Sequence, residues 1–455
     1  MFLFLMQVAA APAASATGAV VTARVDRLFQ EWNNPRSPGC ALGIVRDGEL
    51  VYRHGYGIQN LKTGAPLTTR SVFYAASVSK QFAAASTILA ARDGLLSLDD
   101  DVRKWIPTLP AEQPTITIRH LLHHVSGIRD YLSMWDAMGA LNGIHSDEDL
   151  IGLLSRQQRL NFDPGADFSY NNSGYVLLSF IIRKATGKSL QEFARERIFE
   201  PLGMRTSAFH DDRTAQQNPK TFAIGYNPTK AGGLEPGLLT NFDKVGDGGL
   251  YTTVEDLARW DQNFYSQKVG GDGFTTQLTT RGILANGDTI NYAGALVVDE
   301  YKGLRTVEHS GTFMGYRNDL LRFPDQRFSV ILLCNRGTID PTVLARQIAD
   351  LYLADVLRKQ VERFVGEYAS DELRVTFRVV ARDGNLFLIR PGAGESALTP
   401  VQPEYGARVK QHADQFTYAA SLEPMKATFA SDGGAQVTAL LIEAPRARAM
   451  RFVRR

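Results

Sequence analysis

Ser77 is the only serine in the 455-residue chain followed three positions later by a lysine, Lys80. Residues three apart on a helix share a face, so the Lys80 ammonium can reach the Ser77 hydroxyl. A lysine whose pKa is lowered by burial or by nearby cations can act as a base, and a serine beside it then becomes a usable nucleophile. A second signal is Tyr170 and Asn172, in the turn Asp163-Pro-Gly-Ala-Asp-Phe-Ser-Tyr170-Asn-Asn172 that opens an apolar helix. Such a turn can aim both side chains into a cleft. A phenol beside a protonated lysine is expected to have a lowered pKa and to relay a proton to or from the serine. The competing reading is that Tyr170 packs and Asn172 caps the helix. Tyr316 and Asn318 repeat the Tyr-x-Asn pattern, so the tripeptide alone is not diagnostic.

A third signal is Glu308-His309-Ser310-Gly311-Thr312 at the end of a strand-like segment. A strand edge beside the cleft can offer the Thr312 N–H to a developing oxyanion, with the Ser77 N–H as a second donor. Gly311 removes a side chain where substrate approaches the backbone. His309 is expected to place a donor or a titratable charge over the same pocket.

The elements that must position these residues follow from pattern. Val72–Gly94 reads as a helix around Ser77 and Lys80, with Phe82, Ala85, Ile88 and Leu89 on its apolar face and Gly94 ending it. Gly39–Tyr56 reads as a hairpin turning at Asp47-Gly48. From about 99 to 249 the signals are mostly helical, and 172–186 forms an apolar helix closed by Gly187. Strands are expected at 294–298, 305–309, 319–323 and 328–334, and a closing helix at 342–360. After Val365 the chain shows short alternating strands split by Asp-Gly and Pro-Gly turns, the pattern of a small antiparallel barrel or sandwich.

Bulk properties narrow the function classes. A net charge of +2 gives no field that would recruit nucleic acid or a membrane surface. The terminal arginines Arg446, Arg448, Arg451, Arg454 and Arg455 read as the wet face of a last strand. The apolar run Phe2–Ala10 ahead of Ala14-Ser-Ala16 resembles a signal peptide, residues 1–16, without the usual basic residue before it. Export to the periplasm or medium is therefore expected. No segment is long and apolar enough to span a bilayer. The two cysteines, Cys40 and Cys334, are too few for a disulfide scaffold or a zinc cage, and small buried thiols are the default reading.

Taken together and in this order, the three signals resemble the penicillin-recognising serine hydrolases: class C β-lactamases, S12-type carboxypeptidases, D-aminopeptidases and related esterases. "GYGIQNLKTGAPLT", "IRHLLHHVSGI", "GDGGLYTTVEDLARW" and "HSGTFMGYRNDLLRFPDQRFSVILLCN" extend the resemblance over about 20–357. It implies an α+β, β-lactamase/transpeptidase-like fold: an antiparallel sheet flanked by helices over 17–360, with a helical subdomain. A lipocalin-like β-barrel domain over 361–455 would follow. By the same resemblance Ser77 is the acyl-accepting nucleophile, Lys80 its base partner, Tyr170 the proton relay and Asn172 a ligand for a substrate amide. His309, Ser310 and Gly311 occupy the place of the family's Lys-Thr-Gly element. Histidine there offers no permanent cation for a substrate carboxylate. A peptidase or amidase on D-amino-acid-containing substrates is therefore expected ahead of a β-lactamase. A carboxylesterase on short acyl esters, or a non-catalytic binding protein retaining the fold, are the alternatives. No cofactor or metal is implied, the partner is a small molecule or short peptide, and a homo-oligomer is compatible with the pattern.

Decoys are separable on context. Lys62-Thr63-Gly64 is a literal Lys-Thr-Gly but precedes the nucleophile in a polar turn. His120, His123 and His124 come without a His-Glu-x-x-His pattern or a cysteine pair, which argues against zinc. The absence of a Gly-x-Ser-x-Gly elbow argues against an α/β-hydrolase.

Overall fold

The computed structural model describes residues 16–141 (backbone alone for 16–19), 143–210, 222–237, 244–401, 404–409, 414–420, 423–431 and 436–455. Nearly all of the expected leader lies outside these residues; Ala16 opens the helix Ala16–Leu28. The central sheet is antiparallel throughout, in the order Val297–Tyr301, Leu304–Phe313, Tyr316–Phe323, Phe328–Cys334, Cys40–Arg46, Glu49–Tyr56. The hairpin turns at Asp47-Gly48, both with positive φ, as the Asp-Gly pair requires.

Alternation along Cys40–Arg46 explains how one strand serves two cores. Cys40, Leu42 and Ile44 join the back layer with Val25, Phe29, Leu344 and Ile348. Ala41 and Val45 join the front layer with Phe82, Val254 and Trp260. Gly43 faces the front, where a Cβ would stand 2.4 Å from Val254 Cγ1. The front helix Val254–Ser266 is locked to the sheet by Asp261, whose Oδ1 accepts from Arg322 Nε at 2.6 Å and from Ser329 Oγ at 2.8 Å. Both charges are fully buried, so losing one partner would strand the other.

Three sequence expectations need correction. Cys40 and Cys334 are not free thiols: the strand register sets them directly opposite, with Cα atoms 4.0 Å apart, and they form a disulfide. The expected helix at 342–360 is two, Pro341–Tyr352 and Ala354–Glu362, broken at Leu353. It is Asn171, not Asn172, that caps the helix Asn172–Thr186, its Oδ1 accepting from Gly174 N–H at 2.9 Å. That leaves the Asn172 side chain free to turn elsewhere.

Residues from Gly366 to Arg454 form a closed eight-stranded antiparallel barrel, the first strand pairing with the last at Tyr368 and Arg454. Its interior is filled by Tyr368, Leu388, Phe416, Phe429, Leu440 and Phe452. Arg446, Arg448 and Arg451 are exposed, while Arg454 is half-buried and donates to Val437 O and Val365 O. Among the described residues no helix is long and apolar enough to cross a membrane. Nor does any group of three or more potential metal ligands form there.

Candidate active site

Ser77 sits in a single tight turn, Ala76–Ser79, that runs straight into the helix Lys80–Arg92. Ala76 is held at φ +49°, a left-handed conformation that a residue with a Cβ adopts only under constraint from its surroundings. Lys80, one helical turn on, is fully buried. Its Nζ lies 3.2 Å from Ser77 Oγ and donates to Asn172 Oδ1 at 2.8 Å and to the Asp247 carbonyl at 2.9 Å. Burial pushes its pKa down to about 8, against the opposing pull of Asp247 and Asp130. About a tenth of the amine is therefore neutral near pH 7, a form chemically able to accept a proton from the serine.

Asn172 is fixed from both ends. Its Oδ1 faces Lys80, while its Nδ2 and backbone N–H donate to Asp130 Oδ2 at 3.0 and 2.7 Å. The resemblance assigned this side chain to a substrate amide; its carboxamide also belongs to the network that orients Lys80.

Tyr170 lies beside the same lysine, whose Nζ is 5.0 Å from the ring centroid. Its hydroxyl is buried without a well-formed hydrogen bond. The expected lowering of its pKa does not occur. Desolvation raises it, Asp247 and Asp130 add to the rise, and only the nearby Ser77 hydroxyl acts the other way. Tyr170 is thus a neutral phenol, able to pass a proton but not to act as a phenolate base.

The strand Leu304–Phe313 outruns its neighbour: Val297 pairs with Glu308, and among the described residues no strand pairs with that edge from His309 onward. Ser310 N–H points outward along that edge, so Thr312 N–H, two residues on, shares the direction. Gly311 packs against the Ser77 turn, where a Cβ would stand 2.4 Å from Ala75 O and 3.1 Å from Ser77 N. Only glycine permits this approach of strand to turn, which brings the two candidate oxyanion donors together. Gly311→Ala is expected to displace the turn and lower kcat/KM by about a hundredfold or more while the chain still folds; the rate of Ser77 acylation by a fluorophosphonate measures it. The pocket over Ser77, about 170 Å³, is lined by Tyr74, Leu132, Tyr170, Asn172, Asp247, Thr312 and Phe313. A more open hollow of about 520 Å³ adjoins it across Tyr170 and Asn172, with Asp130, Ser133 and Met134 on its walls.

A family profile described as Beta-lactamase matches residues 25–353. The chain belongs to the Beta-lactamase family. Within the family it is 33% identical over 323 residues to a penicillin-binding protein of Bacillus subtilis (strain 168), covering 68% of this chain and 70% of that one. It is 27% identical over 352 residues to a D-aminopeptidase of Gluconobacter oxydans (strain 621H), covering 76% and 66%. A Brucella anthropi D-aminopeptidase is 30% identical over 303 residues, covering 66% and 57%. The chain thus spans just under two thirds or less of these D-aminopeptidases. Among solved structures, an octameric penicillin-binding protein homologue from Pyrococcus abyssi superposes with a TM-score of 0.64 at 24% identity, covering 96% of this chain and 99% of that one. The resemblance read from the motifs and the α+β fold with its terminal barrel are both correct.

Set in this Beta-lactamase-family frame, His309 departs from expectation. It is fully buried rather than poised over the pocket. Its Nδ1 meets Ser310 O at 2.6 Å and its Nε2 meets Tyr292 OH at 2.9 Å. Burial, helped by the Lys80 charge, pushes its pKa down to about 3, so the ring is neutral at every physiological pH. Ser310 is likewise occupied: its N–H and hydroxyl both meet Tyr405 OH, at 3.0 and 2.8 Å.

Tyr405 reaches this spot from the C-terminal part of the chain, in a connection between barrel strands. Its segment is pinned by Asn291 N–H to Ala407 O and Val409 N–H to Thr289 O, both 2.8 Å. The ring packs 5.2 Å from His309 and 5.8 Å from Tyr170. No spacing in the sequence could have singled it out. Asp130, Asp247, His124 and Tyr292 were also missed as site residues; "GDGG" and "LLHHVSGI" carried two of them, Asp247 and His124, only as family patches. Tyr405→Phe would leave Ser310 N–H without its partner; KM is expected to change about three- to tenfold with kcat within twofold, read from steady-state kinetics.

Proposed function

We propose that the protein is a serine amidase or peptidase that acts through a Ser77 acyl-enzyme on small substrates carrying a D-amino acid residue. The observation that carries this reading is the Lys80 amine, dry and near-neutral in acidity, 3.2 Å from the Ser77 hydroxyl. In this mechanism neutral Lys80 accepts the Ser77 proton as Oγ attacks the scissile carbonyl. The N–H groups of Ser77 and Thr312 hold the oxyanion. Protonated Lys80, through the neutral Tyr170 hydroxyl, returns the proton to the leaving amine, and water then releases the acyl group by the same steps in reverse.

Charge around the pocket supports a substrate with a free amine. Asp247 borders the Ser77 pocket, its carboxyl group accepting from Tyr131 OH at 2.8 Å, and Asp130 lines the adjoining hollow, where Arg129 donates to Gln157 Oε1 at 2.9 Å. The pocket's second lysine, Lys244, is turned to His145 O at 2.9 Å and to Asp147. Neutral His309 supplies no cation for a carboxylate. The D configuration is carried over from the D-aminopeptidases to which the chain is similar. Export is part of the proposal, supported by the leader-like run and by the Cys40–Cys334 pairing, which suits an oxidising compartment.

Comparing D-alanine p-nitroanilide, L-alanine p-nitroanilide, p-nitrophenyl acetate and benzylpenicillin tests the reading. The D-anilide is expected to be cleaved at least about tenfold faster than its L-isomer, with benzylpenicillin a poor substrate. Turnover of the acetate ester with neither anilide cleaved would overturn it in favour of an esterase.

A further inference from the structure

His124 lies outside every step above, yet it touches both sides of Tyr170. Its carbonyl accepts Ser169 N–H at 3.0 Å and its Nδ1 accepts Asn171 N–H at 3.1 Å. The backbone on either side of the phenol is therefore clamped by one residue, and the His124 and Tyr170 rings sit 4.4 Å apart. To make both bonds His124 adopts φ +58°, in the left-handed region.

The hydrogen-bond roles then follow from one another. Because Nδ1 of His124 accepts from a backbone N–H, its proton resides on Nε2. Nε2–H donates to Tyr292 OH at 3.1 Å, so the Tyr292 hydroxyl is free to donate onward to His309 Nε2 at 2.9 Å. His309 must then carry its proton on Nδ1, where the Ser310 carbonyl accepts it at 2.6 Å. All three side chains are buried, at 1%, 0% and 0% exposure. The chain begins on the loop that carries Tyr170 and ends on the strand that carries Thr312.

We propose that His124, Tyr292 and His309 form a one-directional, uncharged brace that fixes Tyr170 against the oxyanion strand, with His124 as the positioning residue at its head. The brace needs both rings neutral and in opposite tautomers; a proton added to His124 Nδ1 would face Asn171 N–H, and one added to His309 Nε2 would face the Tyr292 hydroxyl hydrogen. Desolvation and the Lys80 charge hold both rings well below the usual histidine range, in keeping with this. His309 accordingly serves the site through Ser310 and Tyr292, not by touching substrate.

The kinetic arm of the test rests on the Ser77 acyl-enzyme reading; the spectroscopic arm does not. In wild-type protein labelled with ¹⁵N-histidine at pH 7, His124 should show the Nε2–H tautomer and His309 the Nδ1–H tautomer. Either ring protonated on both nitrogens, or the tautomers reversed, would overturn the brace whether or not the enzyme turns over. Tyr292→Phe keeps the ring and removes the link. It should lower the rate of Ser77 acylation by a fluorophosphonate about tenfold and move the His309 Nε2 resonance to that of an acceptor without a donor, while Ser310 O keeps the proton on Nδ1. His124→Asn retains an acceptor for Asn171 N–H and tolerates positive φ, so it should keep more of the rate than His124→Ala. Unchanged acylation rates in Tyr292→Phe and His124→Asn, with only the unfolding temperature lowered, would reduce the three residues to packing.

Discussion

Ser77→Ala should gain no mass when incubated with a fluorophosphonate probe, where the wild-type chain gains one adduct. Among the described residues the Ser77 hydroxyl is the nucleophile that the Lys80 amine meets; its other partners are an amide oxygen and a backbone carbonyl. The substitution deletes one oxygen and leaves the tight turn, with Ala76 at its left-handed φ, unaltered in backbone. Hydrolysis of D-alanine p-nitroanilide should fall to the level of a buffer control. An adduct of equal mass on the alanine variant, located by peptide mapping, would remove Ser77 from the mechanism.

Lys80→Met should lower kcat/KM by about a thousandfold, since methionine fills the buried volume but cannot accept a proton. The pH profile supplies the sharper reading. In the proposed mechanism the neutral amine is the active form, and burial brings its pKa in the folded chain to about 8. Wild-type kcat/KM should therefore rise tenfold per pH unit below about 8 and level off above it. The slope reverses if protonated lysine were the required form. In Lys80→Met the limb near 8 should vanish, leaving a low, nearly flat profile. A limb of the same position and steepness in the variant would assign that titration to another group. The burial that tunes the amine also disfavours its charged form, so Lys80 is a functional expense within a helix otherwise made of core residues.

What could be read in the sequence divides along physical lines. The Ser77–Lys80 pair was legible because a helical offset of three fixes proximity locally. The helix Asn172–Thr186, with Gly187 at φ +73° behind it, was legible because capping chemistry is local too. The direction of the Tyr170 shift was not, because it depends on Asp130 and Asp247 and on how much water the fold removes. The state of Cys40 and Cys334 depends on strand register across 294 residues, which no spacing rule supplies. His309 was read as facing the pocket from its place in a motif. Its burial is set by Tyr292 and Tyr405, which arrive from separate parts of the chain.

Tyr405 is remote in sequence from Ser77 and Lys80, yet its hydroxyl holds Ser310 on the strand that carries Thr312. The two sides of the candidate site are therefore anchored by separable stretches of chain. Drift in the residues flanking Tyr405 can loosen that strand edge while Ser77, Lys80 and their helix stay untouched. Shortening the chain to the sheet and its helices would keep Ser77 and Lys80 in place and leave Ser310 without this partner.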